Sequence, residues 1–182
     1  SKYKKNSYLC IQNQKIKTAS ILSMKSSNLL LKQLSPCDGV DCFLMLQHIE
    51  KEENAFTNPV NGMSFDEYKK WLEQQHNWSM GKDLPTGYVC QTIFWLYDHD
   101  IPVGIGKIRH SVTNKSRIKG GNIGYAVSLE FRGRGYGYVL LKELLQKANE
   151  LEIKEKILTV EKNNIASKKI IEKNGGTLYD EN

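Results

Sequence analysis

The sequence predicts a single α+β domain built on a mixed sheet flanked by helices, and two patterns carry that expectation. In the middle of the chain, the β-rich runs "YVCQTIFWLY" and "PVGIGKIRH" are joined by Asp98, His99, Asp100 and Ile101, the signature of an antiparallel hairpin. Further on, the strand "NIGYAVSL", an amphipathic helix and the strand "EKILTV" follow in the order of a crossover unit.

Residues 1–26 carry Lys2, Lys4, Lys5, Lys15, Lys17 and Lys25 with little periodicity, and they read as a basic extension outside the fold. Residues 27–182 form the domain. "NLLLKQL" is its first strand, and Ser35 and Pro36 supply the cap and first turn of a helix whose apolar face is Val40, Phe43, Leu44, Leu46 and Ile49. Ser64 and Glu67 are spaced as a capping box, so a second helix is expected over roughly Phe65 to Gln75. The hairpin follows, then the loop "SVTNKSRIKGG" and the strand "NIGYAVSL". The next helix has Tyr138, Leu141, Leu145 and Ala148 at core-facing spacing. After "EKILTV", "NNIASKKIIEKNGG" is a helix with Asn at its front and Asn174 and Gly175 at its back.

The composition excludes several classes. No apolar run approaches the roughly 20 residues that cross a bilayer, and the polar, lysine-rich start lacks the apolar core of a secretory signal. A soluble, cytoplasmic protein without membrane association is the expectation. The four cysteines, Cys10, Cys37, Cys42 and Cys90, have neither paired spacing nor histidines at ligand intervals. They read as free buried thiols, with no metal site. A net charge of +6 and a pI near 9.0 favour an anionic partner: a nucleic acid, a membrane surface or a phosphate-rich cofactor.

The stretch "LEFRGRGYGYVLLKELLQKA" chooses among these. Gly133, Gly135 and Gly137 stand where a strand gives way to a helix, and each sacrifices about 1 kcal/mol of helix propensity where it falls inside the helix. The first amides of a helix have no partner within it, and with the helix dipole they form a phosphate site. Glycines let a pyrophosphate approach those amides, while Arg132 and Arg134 add charge. The spacing fits neither a dinucleotide G-x-G-x-x-G loop nor a P-loop, since no G-K-[ST] follows. A single tract running into an amphipathic helix is also unlike a disordered, repeated RGG segment, which argues against nucleic acid.

Arg132-x-x-Gly135-x-Gly137 resembles the [QR]-x-x-G-x-[GA] pyrophosphate loop of the GNAT superfamily of acyl-CoA-dependent N-acetyltransferases. Asn164-x-x-Ser167, opening a helix that ends "IIEKNGG", resembles that superfamily's second motif, in the right order and at the right separation. The similarity runs from about Asn28 to Leu178, and "GGNIGYAV" resembles a subgroup of predicted acetyltransferases of unassigned substrate.

The resemblance implies the acyl-CoA N-acyltransferase fold, a mostly antiparallel sheet whose central strand pair splays to admit the pantetheine arm. Acetyl-CoA would be the cosubstrate, and a primary amine of a small molecule or peptide the acceptor. Backbone groups around Val127 and Leu129 would hold the arm, with an amide near Val127 polarising the thioester carbonyl. Arg132, Gly133, Arg134, Gly135, Tyr136 and Gly137 would cradle the pyrophosphate, and Asn164 and Ser167 would meet the pantetheine or thiol end. A helix cap alone also accounts for Asn164.

Catalysis is less defined. The superfamily's carboxylate on the fourth strand is replaced here by Gly121, Asn122, Ile123 and Gly124, which leaves a water chain or a carboxylate such as Glu161 to take the amine's proton. The usual tyrosine of the last helix is replaced by Ile171, so Tyr125, Ser167 or solvent would return a proton to the thiolate. Tyr125 equally fits a strand aromatic packing on the sheet. These departures keep a non-catalytic CoA-binding sensor or interaction module as the alternative. The segment from Asn54 to Met80, with Trp71, Trp78, His76, Asp66, Glu67 and Glu73, reads as acceptor wall or as an amphipathic helix with a solvated face. Finally, "TLYDEN" begins a strand and stops where the superfamily has one or two more, so the expectation is that the domain lacks its final strands in this sequence or that a second copy covers the exposed edge in a homodimer.

Overall fold

The computed structural model describes residues 5–9, 28–118 and 120–178. A four-stranded antiparallel sheet runs in the order β2 (Leu29–Gln33), β5 (Gln91–Asp98), β6 (Ile101–Arg109) and β7 (Ile123–Val127). The hairpin expected around Asp98 is present, with Trp95 opposite Ile105 and a register shift at Leu96/Tyr97. Its two-residue turn puts His99 at φ 56°.

Two helices cover one face of this sheet: α1 (Val40–Gln47) and α2 (Phe65–Ser79). The first starts later than Ser35 and Pro36 suggest, because the Asp38 carboxylate accepts from the Ser35 amide at 2.7 Å and holds those residues in a turn. The same carboxylate accepts from the Trp95 indole at 2.6 Å, which ties the turn to the sheet. α2 begins as expected: Glu67 accepts from the Ser64 amide at 2.7 Å, the Ser64 hydroxyl accepts from the Glu67 amide at 3.3 Å, and the helix continues to Ser79. Met45, Leu46, Tyr68, Leu72, Trp95 and Ile105 form the core of this layer.

The other face is covered by α4 (Tyr136–Glu150), with α5 (Ile165–Lys173) beside it. α4 buries Leu140, Leu141, Leu144, Leu145 and Ala148, each worth about 1.5–3 kcal/mol for the larger side chains. Leu141, Leu145 and Ala148 of the expected face are buried, and Tyr138 is half-buried because it borders the cleft described below. Cys42 is buried with its thiol against the Tyr97 hydroxyl, Cys90 is half-buried and Cys37 is exposed, so the expectation of buried thiols holds for only part of the set; Cys10 lies outside the described residues.

Four elements have no counterpart in the sequence reading. β3 (Glu52–Glu53) and β4 (Phe56–Thr57) form a small hairpin, and α3 (Asn114–Ile118) occupies the loop before β7. The fourth corrects an expectation. Residues 1–26 are not wholly an appendage: Lys5–Leu9 form β1, which pairs antiparallel with β8 (Ile157–Glu161) over five residues and with β9 (Thr177–Leu178). One edge of β8 is therefore occupied by the chain's own strand. The remainder of the basic extension lies outside the described residues.

β7 and β8 meet at one end only. The Asn122 amide donates to the Ile157 carbonyl at 2.9 Å, and its side chain doubles the contact: Oδ1 accepts from the Ile157 amide at 2.7 Å and Nδ2 donates to the Glu155 carbonyl at 2.7 Å. Asn122 is fully buried. Gly121 permits the close approach, since a β-carbon there would lie 2.2 Å from the Ile157 carbonyl oxygen. Beyond this pin the two strands belong to separate sheets, and a wedge opens between them. Asn122→Ala strands the Ile157 amide and the Glu155 carbonyl, at a cost of about 2–5 kcal/mol. A thermal melt is expected to fall by roughly 5–15 °C; an unchanged midpoint contradicts the pin.

Candidate active site

The wedge is the mouth of a cleft of about 510 Å³, walled by the end of β7, the first turn of α4 and the start of α5. At its floor lie Tyr125, Ala126 and Val127; at one side lie Gly133, Gly135, Tyr136 and Gly137, and at the other Asn164, Ala166 and Ser167. The β3–β4 hairpin contributes Glu53, Asn54 and Phe56 to the remaining wall.

The three glycines have two different reasons for their identity. Gly133 (φ 77°) and Gly135 (φ 88°) are in the left-handed region that residues with a β-carbon rarely enter, and Gly135 is the N-cap of α4. Gly137 is ordinary helix, but a β-carbon there would lie 3.0 Å from Ile170 of α5 and 3.6 Å from the Tyr125 ring. Gly137 thus lets α5 and Tyr125 close on the cleft, while the other two shape the loop.

Helix α4 differs from its neighbours at its start. α2 is capped by Ser64 and has Asp66 and Glu67 in its first turn, and α5 is capped by Asn164, whose side chain accepts from the Ser167 amide at 3.0 Å. α4 has no side-chain cap and no acid in its first turn. Its leading amides and the positive end of its dipole are left for an anion beside the cleft. Arg134 is exposed above the Phe131 ring, free to add charge.

Other sequence-predicted residues are placed differently. Arg132 does not extend into open loop: its guanidinium makes a fork to the Glu53 carboxylate at 2.9 and 2.6 Å, and Nε donates to the Val127 carbonyl at 3.0 Å. That fork holds the Glu53 carboxyl below its ordinary range. The Tyr136 hydroxyl donates to Asp98 at 2.5 Å, fastening the loop to the β5–β6 turn. β7 ends at Val127, and Leu129 sits in a 3-10 turn with its amide on the His48 carbonyl at 3.2 Å, outside the cleft wall. Glu161 ends β8 and lines neither the cleft nor the small recess beside it.

Tyr125 and Ser167 are brought together. The Tyr125 hydroxyl is buried and makes no well-formed hydrogen bond. Burial pushes the phenol up to about 12, with the nearby Ser167 hydroxyl opposing that rise. Both residues line the cleft and the recess. Asn164 Nδ2 donates to Ser167 Oγ at 3.0 Å, so the cap residue also orients the hydroxyl.

The hairpin residues Glu53 and Phe56 escape a reading of the sequence. Their turn is Asn54-Ala55, with φ 51° and 68°, where the usual signal is Asn-Gly or Asp-Gly.

A four-stranded antiparallel sheet, a strand pair pinned at one end, and an uncapped glycine-led helix at the resulting cleft together match the acyl-CoA N-acyltransferase fold. The sequence pattern of the Acetyltransferase (GNAT) domain matches residues 28–177, and the chain belongs to the GNAT acetyltransferase family. Among solved structures, it is similar to a GNAT-family acetyltransferase from Streptococcus pneumoniae at 17% identity, over 81% of this chain and 84% of that one, with a TM-score of 0.54. A GNAT-family acetyltransferase from Colwellia psychrerythraea is similar at 18% identity and a TM-score of 0.52; 98% of this chain is covered but only 54% of that protein. At such identities the likeness establishes the fold. No curated protein sequence matches the chain significantly.

The glycine loop makes a direct prediction. Gly135→Val places a β-branched residue at φ 88°, a conformation costing it about 1–2 kcal/mol or more, and turns the N-cap away from the cleft. Calorimetric titration with CoA is expected to show affinity at least roughly tenfold weaker, with a thermal melt confirming that the variant is folded. Equal affinity for the two proteins contradicts the loop assignment.

Proposed function

We propose that the chain transfers the acetyl group of acetyl-CoA to a primary amine of a small molecule or peptide by direct attack. The observation that supports this most is the uncapped start of α4, with left-handed Gly133 and Gly135, at one end of a cleft whose other end presents Tyr125 and Ser167. The residues fit CoA: leading amides and Arg134 for the pyrophosphate, the β7 edge at Ala126 and Val127 for the pantetheine arm, Asn164 and Ser167 toward the sulfur.

Acetyl-CoA supplies the activated thioester. The neutral amine attacks its carbonyl carbon, the C–S bond breaks, and the product nitrogen releases its extra proton to water at the cleft mouth. The backbone at Val127 stabilises charge on the carbonyl oxygen. Tyr125, raised to about 12 by burial, stays protonated at neutral pH and donates to the departing sulfur, assisted by Ser167. Glu161 has no part in this scheme, because it does not line the cleft.

Thiol release from acetyl-CoA over an amine panel tests the reading. Turnover is expected, and Tyr125→Phe is expected to lower kcat by about a hundredfold while the KM for acetyl-CoA stays within about twofold. Tight CoA binding without thiol release on any amine contradicts it and favours the non-catalytic module.

A further inference from the structure

β6 carries two cations on one face, two residues apart: Lys107 and Arg109, both half-buried. Lys107 Nζ donates to the Thr57 carbonyl at 2.5 Å and lies 4.4 Å from the centroid of the Phe56 ring. Arg109 Nη1 donates to the Gly121 carbonyl at 2.9 Å and reaches the Gly120 carbonyl at 3.5 Å. Every one of these partners is neutral. Among the described residues no carboxylate pairs with either cation. Of the acids on neighbouring elements, Glu53 is taken by Arg132, Glu155 by Arg117, and Asp98 by Tyr136 and His99, while Glu52 of β3 is exposed to solvent and pairs with neither cation.

Setting two like charges side by side in partial burial is unfavourable unless an anion accompanies them. Burial pushes the Lys107 amine down to about 7 and Arg109 adds repulsion; burial lowers Arg109 as well. The pair thus has donors left over and lacks a counter-charge.

Its place in the fold says what would supply one. Lys107 is the cross-strand partner of Gly124, which lines the recess between β7 and β8, and Phe56 beneath Lys107 lines both the recess and the cleft. Gly120, whose carbonyl Arg109 contacts, lines the recess too. Neither cation lines the cleft or the recess directly; both flank the pinned end of the wedge next to Phe56, Gly120 and Gly124, whereas the pyrophosphate loop stands at α4.

We propose that Lys107 and Arg109 are the anion-recognising edge of the acceptor site, so that the acetylated amine belongs to a molecule that also carries a carboxylate or a phosphate. This rests on acetyl transfer to an amine in the cleft. A polycationic acceptor would press its charges against this pair, while an anionic group supplies the missing counter-ion and takes up the free donors of Lys107 and the guanidinium.

Matched probes test it without requiring turnover. Calorimetry of the protein saturated with CoA is run with α-amino acids against their carboxamides, and with amino-sugar phosphates against the unphosphorylated sugars. The first arm reads carboxylate recognition and the second phosphate recognition. In at least one arm the anionic member is expected to bind at least roughly tenfold more tightly than its partner. Lys107→Met is expected to remove that preference, Lys107→Arg to retain most of it, and neither to alter CoA affinity. The proposal is overturned if no anionic probe is preferred, or if the preference survives Lys107→Met. Thiol release followed in parallel separates the two readings: anion preference without release spares the site and sinks the acetyl transfer.

Discussion

The carboxamide of Asn122 closes the gap between two strands that share no ladder. Its side chain satisfies the Ile157 amide and the Glu155 carbonyl, and its own amide reaches the Ile157 carbonyl. Its carbonyl accepts from the Arg109 amide at 2.7 Å, which makes the same residue the end of the β6–β7 pairing. A regular ladder at this point would continue along both strands and shut the wedge. A side chain that imitates one step of a ladder lets the strands part immediately afterwards, and the cleft exists because they part. A carboxylate at this position would be buried against the Glu155 carbonyl, where like partial charges repel.

What fills the wedge follows from its walls. One side is a helix start stripped of caps and acids, the other a helix whose cap residue, Asn164, aims Ser167 at Tyr125. Across the mouth the β3–β4 hairpin is held at two points, by Glu53 to Arg132 of the glycine loop and by the Thr57 carbonyl to Lys107 of the sheet. The glycine loop and the β6 face are thereby connected through a single short hairpin. Arg132 serves this bracing, while the backbone of the loop and the exposed Arg134 are free of it.

The sequence was most informative where local rules act alone. Ser64 and Glu67 mark a helix start because a capping box needs nothing beyond four residues, and the Asp98 turn marks a hairpin for the same reason. The glycine loop could be read because a positive φ leaves a residue type behind. Long-range choices left no such trace. Nothing in "KNSYL" says that it will lie between β8 and β9, and a hairpin turned at Asn54-Ala55 lacks the glycine that usually announces one. Asn122 was visible only as an absent carboxylate; its bonds to residues more than thirty positions away define its role. The pairing of Arg132 with Glu53 likewise spans 79 positions, and the motif that contains Arg132 does not announce it.

Amide hydrogen exchange with and without CoA tests most directly whether the pinned wedge is the cofactor site. Added protection is expected at Tyr136, Gly137 and Tyr138 and on the wedge-facing edge of β7 at Val127, with β2 and α2 unchanged. Saturating CoA that leaves the start of α4 and the end of β7 unprotected, or that protects only the far side of the sheet, would contradict it.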